Sequence, residues 1–439
     1  MLRNFKLSNV IVKDLKRINE ERKNIVIQGF VKKVFKTKNV YFARVSDSYS
    51  DDHIKAVIPK NMVEKINVGT SLQINGEWLK SSGDQQEFEL QAKDCKIYAV
   101  NQSNPIKPSS DVLMESLHLR PNCKEFAKIL KLRSKVNYLT HKYFHENNFT
   151  HIDTPFFSLN DCEGGGETFI VKAKDDEDFF GESEVNLPVS GQLHLEACAG
   201  PMTKVYTING AFRAEKSLTR QHMAEFRMLE VEVGFCDDTE ILCSSVEDYI
   251  RYIRNHLLNE GVEDDIKEIK KIFSNEGNKK NLIEIIGDKE FPRVKYDDCV
   301  EILKTLKKRK SKEGFNRDEE FDLLRHFNSP LFIINFPANQ KPFYMKKFTN
   351  DGHTYAKCFD FITPTVGELA GGSVREDSIE ELKKYNKENI DWYMDLRKHG
   401  YPTTGGYGIG MDRLIQSLFS ISNIKNTIPF PRYYKHCKC

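Results

Sequence analysis

The sequence predicts two units of different class: a small all-β barrel at the N-terminus, then a larger α+β unit. Three observations carry this. Between residues 24 and 100, five short stretches alternate apolar and polar side chains, as half-buried strands do. Residues 101–111, NQSNPIKPSSD, are polar and proline-bearing, as linkers are. Beyond them helical periodicity and alternating strands are interleaved, and 439 residues allow two or three domains with a sizeable core. The boundaries read as 1–100 for the barrel, 101–116 for the linker and 117–439 for the second unit, with a helical insertion at about 236–330.

Composition narrows the classes. Lys and Arg number 66 against 64 Asp and Glu, so contact with nucleic acid must come from local patches. No apolar run reaches membrane-spanning length, so no membrane partner is expected. The ten cysteines are scattered without paired metal spacing, as reduced thiols of a large intracellular protein are. His436-Cys437-Lys438-Cys439 could hold a soft metal or be a frayed tail. Residues 1–13 lack acids and carry Arg3, Lys6 and Lys13 among apolar residues, which suits a short mitochondrial targeting segment or a basic entry helix of the first unit.

The five N-terminal strands fall at about 25–31, 40–45, 54–58, 71–77 and 88–92, with a helix before the fourth, the pattern of an OB-fold barrel. Lys32, Lys33, Lys36 and Lys38 flank Tyr41 and Phe42, which makes a cationic stacking face for single-stranded nucleic acid or, on the plainer reading, a charged hairpin with its aromatics in the core. A helix follows over about 121–147 with apolar residues at helical spacing, leading into a strand closed by Pro155. Residues 160–169, NDCEGGGETF, form a glycine-rich loop able to close over a small ligand, or only a flexible turn. In VSGQLHLE, residues 189–196, Ser190 and Gln192 are neutral acceptors suited to an ammonium group.

Two stretches hold most of the chemistry. FRAEKSLTRQHMAEF, residues 212–226, is a long charged loop between two strands. Its Arg213 can fork onto paired anionic oxygens, and Phe226 offers a flat face on which a base stack is worth about 1–3 kcal/mol. TGGYGIGMDRL, residues 404–414, is a glycine-rich strand entering a helix that starts at Arg413, a setting that favours anions. Between them Asp360 and Glu368 offer hard oxygens to Mg²⁺, with a structural ion pair to Arg375 as the rival reading.

These words together, FRxE with HxxEF and then GxGxGxxR, resemble the second and third signatures of the class II aminoacyl-tRNA synthetases. The helix, strand and proline up to Pro155 resemble the first. The glycine loop, VSGQLHLE, PFYM at 342–345 and IPFPR at 428–432 are similar to the asparaginyl branch, and the match runs over the whole chain. The resemblance implies a catalytic domain on an antiparallel sheet flanked by helices, and a homodimer built on the first signature. It also implies an OB domain that reads the anticodon, with Phe42 stacking on a base beside Lys32 and Lys33. The ending resembles organellar members, which favours the mitochondrial matrix over the cytoplasm.

The resemblance further implies ATP-dependent activation of L-asparagine and its transfer to tRNA(Asn). ATP would lie against Arg213, Glu215, Arg220, Gln221, His222, Phe226, Glu368, Gly410 and Arg413, with Mg²⁺ on Glu368 and Asp360. The amino acid would meet Glu167, Ser190, Gln192, Arg213, Glu230 and Arg375. Arg213, Arg413 and Glu368 would bring two anions together without a proton-transfer group. Glu230 would accept the amide of asparagine and repel aspartate by like charge, unless it and Glu232 lie on the surface of their strand. Three departures stand out: Gln221 before His222 where Arg is usual, Asp412 for Glu, and Val231 for Pro. Arg220 could cover for Gln221 by a small loop shift. The competing readings are an aspartyl-type ligase, an amide-forming relative acting on aspartate, and a non-catalytic tRNA-binding paralogue.

Overall fold

The computed structural model describes residues 11–47, 52–81, 87–102, 110–159, 168–176, 179–181, 184–275, 281–287, 289–384 and 390–439. The chain divides into two compact units between Lys107 and Pro108.

In the first unit, helix α1 (Val12–Lys16) precedes strands β1 (Arg22–Lys36), β2 (Val40–Ser46), β3 (Ile54–Pro59), β4 (Ser71–Lys80) and β5 (Phe88–Ala99). They close into a barrel in the order β1-β2-β3-β5-β4. Alternation explains it: Ile27, Val31, Ala43, Val45, Ile74 and Leu90 point inward, and Val12 and Leu15 of α1 join the same core. A single 3-10 turn, Lys60–Met62, stands where a helix was expected before the fourth strand. Tyr41 also belongs to the core, which removes it from the stacking face. Phe42, the next residue, points the other way.

The second unit opens with α2 (Ser110–Glu115), inside the stretch read as linker, and α3 (Lys124–Glu146). Phe126, Ile129, Leu132, Val136 and Leu139 form the buried stripe of α3. Short strands β6 (Thr150–His151), β7 (Ile170–Val171) and β8 (Val185–Asn186) lead to α4 (Gln192–Met202) and the long hairpin β9 (Lys204–Phe212) and β10 (Glu225–Gly234). Helices α5 (Thr239–Asn259), α6 (Glu263–Phe273) and α7 (Leu282–Ile285), strand β11 (Arg293–Lys295), and helices α8 (Tyr296–Thr305) and α9 (Arg317–Phe327) fill the expected insertion. Then come β12 (Leu331–Ile334), β13 (Lys347–Asn350), β14 (His353–Ala356), β15 (Cys358–Thr363), β16 (Gly367–Val374), α10 (Ile379–Lys383), α11 (Asp391–Lys398), β17 (Thr404–Gly410) and α12 (Met411–Phe419).

Eight strands form one sheet in the order β11-β12-β15-β16-β17-β10-β9-β6. Its pairings are antiparallel except at the two edges, β11 with β12 and β6 with β9. The insertion is therefore more than helical, since it contributes edge strand β11 to the main sheet. β17 lies between β10 and β16, so Glu230 stands opposite Gly408, Glu232 opposite Gly406, and Tyr407 opposite Gly372. Glycines here clear room for large side chains: a Cβ on Gly406 would collide with the Glu232 carboxylate.

Candidate active site

A cavity of about 310 Å³ opens over β10, β16 and β17. Arg213 lies one residue beyond β9 and lines it, with its backbone N–H on the Ala224 carbonyl at 3.0 Å to close the base of the hairpin loop. Its guanidinium lies over the Phe226 ring, 5.4 Å from the centroid. In the loop, His222 Nδ1 is 3.1 Å from Ser217 Oγ and 2.5 Å from Thr219 Oγ1. Burial lowers His222 below the usual imidazole range; Arg413, Arg213 and Lys425 add to this against the pull of Glu215.

One part of the cavity is lined by buried charged and polar groups. Glu230 is buried, and its carboxylate accepts from Ser190 Oγ and, at 2.9 Å, from the Gly191 N–H. Burial pushes this carboxyl up, while those two hydrogen bonds, Arg375 and Arg213 pull it back. Arg375 stands beside it, buried, its Nε donating to Glu232 at 3.0 Å and its Nη1 to Ser373 Oγ at 2.8 Å. Burial alone would lower Arg375, but Glu232 and Glu196 outweigh that and hold it above its ordinary value. Glu196 is itself held by Gln192 Nε2 at 3.0 Å and Tyr393 OH at 2.7 Å. Gln192 thus gives one amide N–H to the network while also lining the cavity. Glu230 and Glu232 are not surface residues.

At the other end, Arg413 Nη1 donates to the Glu368 carbonyl at 2.9 Å, and its guanidinium is 4.0 Å from the Glu368 carboxylate. Asp412, the neighbour of Arg413, is buried and tied on both oxygens: Arg133 of α3 donates to one at 2.6 Å and the Arg227 N–H to the other at 3.0 Å. The shorter acid is thus an internal tie among α3, β10 and α12. Both oxygens of Asp360 are 2.7 Å from Lys341 Nζ, so its charge is balanced by the chain itself. Glu320 of α9 approaches the same place, and burial, then Glu368 and Asp360, push its carboxyl up to about 8.

Among the described residues no group of three or more His, Cys, Asp or Glu side chains could hold a metal ion. A cation at half-exposed Glu368 would therefore take most of its ligands from phosphate oxygens and water, which is how Mg²⁺ prefers to bind. The donor set fits that ion on those terms, with Asp360 tied to Lys341.

Most expected residues meet in this cavity: Ser190, Gln192, Arg213, Glu215, Gln221, His222, Phe226, Glu230, Asp360, Glu368, Arg375, Gly410 and Arg413 all line it. Arg220 does not. It is exposed and donates to Asn275 Oδ1 at 3.1 Å, because a one-residue offset turns it to the outer side of the loop, so it does not cover for Gln221. Gln221 is buried, and its side-chain oxygen has no hydrogen-bond partner among the described residues. Glu167 and most of its glycine loop lie outside the described residues. Val231 sits mid-strand between Tyr206 and Tyr407, so β10 runs on unbroken where a proline is usual. Sequence reading missed Lys341, Tyr344 and Glu232 as wall residues. Only the PFYM match, which includes Tyr344, had pointed to that wall.

In the barrel unit, Lys32 and Lys33 are exposed and Phe42 half-buried. Lys55 Nζ is 5.3 Å from the Phe42 ring. Phe35, not anticipated, pairs directly across from Phe42, is 52% exposed, and carries Lys33 Nζ 4.8 Å above it.

Residues 109–434 match the model of the tRNA synthetases class II (D, K and N). The chain belongs to this family. A probable mitochondrial asparagine–tRNA ligase of Dictyostelium discoideum is 33% identical over 98% of this chain and 100% of its own. The asparaginyl-tRNA synthetase of Mus musculus is 34% identical over 97% of this chain and 94% of its own. Among solved structures, the Entamoeba histolytica asparaginyl-tRNA synthetase in complex with asparaginyl-adenylate superposes with a TM-score of 0.79 at 25% identity, covering 94% of this chain and 96% of that one. This class II synthetase thus shares both its sequence family and its fold with asparaginyl enzymes.

Proposed function

We propose that this class II synthetase is an asparagine–tRNA ligase, which uses ATP to activate L-asparagine as asparaginyl-adenylate and transfers it to the 3′ end of tRNA(Asn). The observation that carries this is Glu230 beside Arg375 at the closed end of the cavity. Each Glu230 oxygen spends one acceptor site on Ser190 or Gly191 and retains another. An asparagine amide would donate its N–H to Glu230 and accept at its oxygen from Arg375. An aspartate carboxylate would bring a second negative charge against Glu230, and unpaired or repelled buried polar groups can discriminate by roughly 10⁴–10⁵. The relatives named as asparagine–tRNA ligases support the same choice over an aspartyl-type ligase or a non-catalytic paralogue.

Activation joins a carboxylate to a phosphate, so orientation and fixed positive charge do the work. Arg213 bridges the amino-acid carboxylate and the α-phosphate, Arg413 holds the far phosphates, Phe226 stacks the adenine, and Ser190 and Gln192 accept from the ammonium. Glu368, with Asp360 behind it, would hold Mg²⁺, which neutralises phosphate charge when bound. Among the described residues no cysteine lines the cavity, and those with a shifted thiol are pushed up, by burial, away from the thiolate.

The barrel would read the anticodon through Phe42 with Lys32 and Lys33. A homodimer, formed through α3 and β6, belongs to the same proposal; Phe156 and Phe157, just past β6, are 51% and 50% exposed. The mitochondrial matrix is the proposed compartment, with the cytoplasm as alternative; two of the relatives bear mitochondrial names. The test is charging of tRNA transcripts by the purified chain: tRNA(Asn) should accept radiolabelled asparagine and tRNA(Asp) should accept nothing. Aspartate on either transcript, or no charging of tRNA(Asn), sinks the proposal.

A further inference from the structure

The turn that presents Glu368 is unusual. Thr365 and Gly367, either side of Val366, have φ of 77° and 80°. A β-branched residue in that region is strained and persists only when its surroundings hold it there. The strand pairing also slips between Phe361 and Ile362, leaving Leu369 without a partner in the ladder, and such a bulge re-aims the side chains beside it.

Helix α9 grips this turn from outside the cleft. Arg317 Nη2 donates to the Thr365 carbonyl at 2.8 Å. One helical turn on, the Glu320 carboxylate accepts from the Glu368 backbone N–H, and it lies so close that a Cβ on Gly367 would collide with it. The two side chains share one face of the helix by their spacing. The start of α9 is itself fixed: Asn316 and Glu319 form a reciprocal cap, and buried Glu319 also accepts from the Lys310 and Ser311 N–H groups. Neither Arg317 nor Glu320 lines the ATP cavity. Arg317 reaches the backbone of the turn that carries Glu368, and the Glu320 carboxylate also faces the Glu368 and Asp360 side chains from a neighbouring pocket.

We propose that α9, through Arg317 and Glu320, positions the metal-holding carboxylate Glu368 and thereby sets the divalent-cation concentration at which the cleft takes up ATP. This rests on the reading of Glu368 as the Mg²⁺ ligand. Arg317 and Glu320 are positioning residues, acting on the site through the strained turn. The inserted segment between β10 and β12 is in this way part of the nucleotide site.

The test uses full-length protein with ATP and Mn²⁺ as probes. Bound Mn²⁺ is read by electron paramagnetic resonance, and ATP binding by calorimetry with and without EDTA. Loss of a group that orients a metal ligand costs about 10–100-fold in metal affinity. R317A and E320A should each raise the half-saturating Mn²⁺ at least tenfold, with ATP binding in EDTA within twofold of the parent. R317K, which keeps a donor for the Thr365 carbonyl, should recover most of the loss. Unchanged Mn²⁺ dependence in both R317A and E320A overturns the inference. So does an equal loss of ATP binding in EDTA, which would mean that α9 serves the fold or the nucleotide and not the metal carboxylate. If the parent protein itself binds ATP without any Mn²⁺ dependence, the Mg²⁺ reading of Glu368 fails first and takes this inference with it.

Discussion

In the proposed reaction Glu230 would decide which amino acid sits in the cleft, because its charge tells an amide from a carboxylate of the same shape. E230Q should lose most of the preference for asparagine over aspartate, by two or more of the roughly four to five decades such sites reach. ATP binding should stay within about threefold, as read by separate titrations. Acidity should imitate that change. Burial raises the Glu230 carboxyl above its ordinary 4.5, so the group takes up its proton at higher pH than a free glutamate as the solution is acidified. The asparagine-to-aspartate ratio of kcat/KM should therefore fall with falling pH, beginning above pH 4.5, and E230Q should flatten that profile. The individual site residues were legible because each signature word places its charged groups at fixed offsets on one strand or turn. Their long-range partners were not legible. That Arg375 is braced by Glu232, and Asp360 paired with Lys341, depends on strands far apart in sequence meeting side by side.

Helices and strands act on the site through a few buried ties. One of them joins Arg133 of α3 to Asp412 at the start of α12, with side chains only 11% and 2% exposed. Removing one partner of a buried pair leaves the other charge uncompensated and costs about 3–5 kcal/mol. R133A should lower the unfolding free energy in urea by that order, and R133A/D412N together by less than R133A alone. The role of the insertion was hidden for a physical reason. The insertion was legible only as helical, and periodicity at best reports which face of a helix is buried. It does not report which turn the helix leans on, and a three-residue strand such as β11 leaves no alternation to read. The shift from Arg220 to Gln221 has the same origin: the path of a loop, not its composition, decides which neighbour faces the cleft.

At the scale of the molecule, an all-β barrel and an α+β unit are separate compact bodies with separate tasks in the proposed reaction. The barrel was legible from alternation alone, whereas the order of the eight-stranded sheet was not, since local patterns cannot rank distant pairings. The family resemblance supplied its antiparallel character. The barrel pairs Phe35 with Phe42 across β1 and β2, with Lys33 over the first ring and Lys55 over the second. F42A and F35A should each weaken tRNA(Asn) binding by about 1–3 kcal/mol in a filter-binding assay. Asparagine-dependent chemistry without tRNA should be unaffected, because it takes place in the other unit.

The central claim is that Arg213, Glu230, Glu368 and Arg413 form one cleft that activates asparagine. ATP–pyrophosphate exchange, run with asparagine and aspartate in parallel and without tRNA, tests it most directly. Exchange that requires asparagine, ignores aspartate and disappears in R213A is the predicted result. Exchange driven by aspartate, or none with either amino acid, would contradict it.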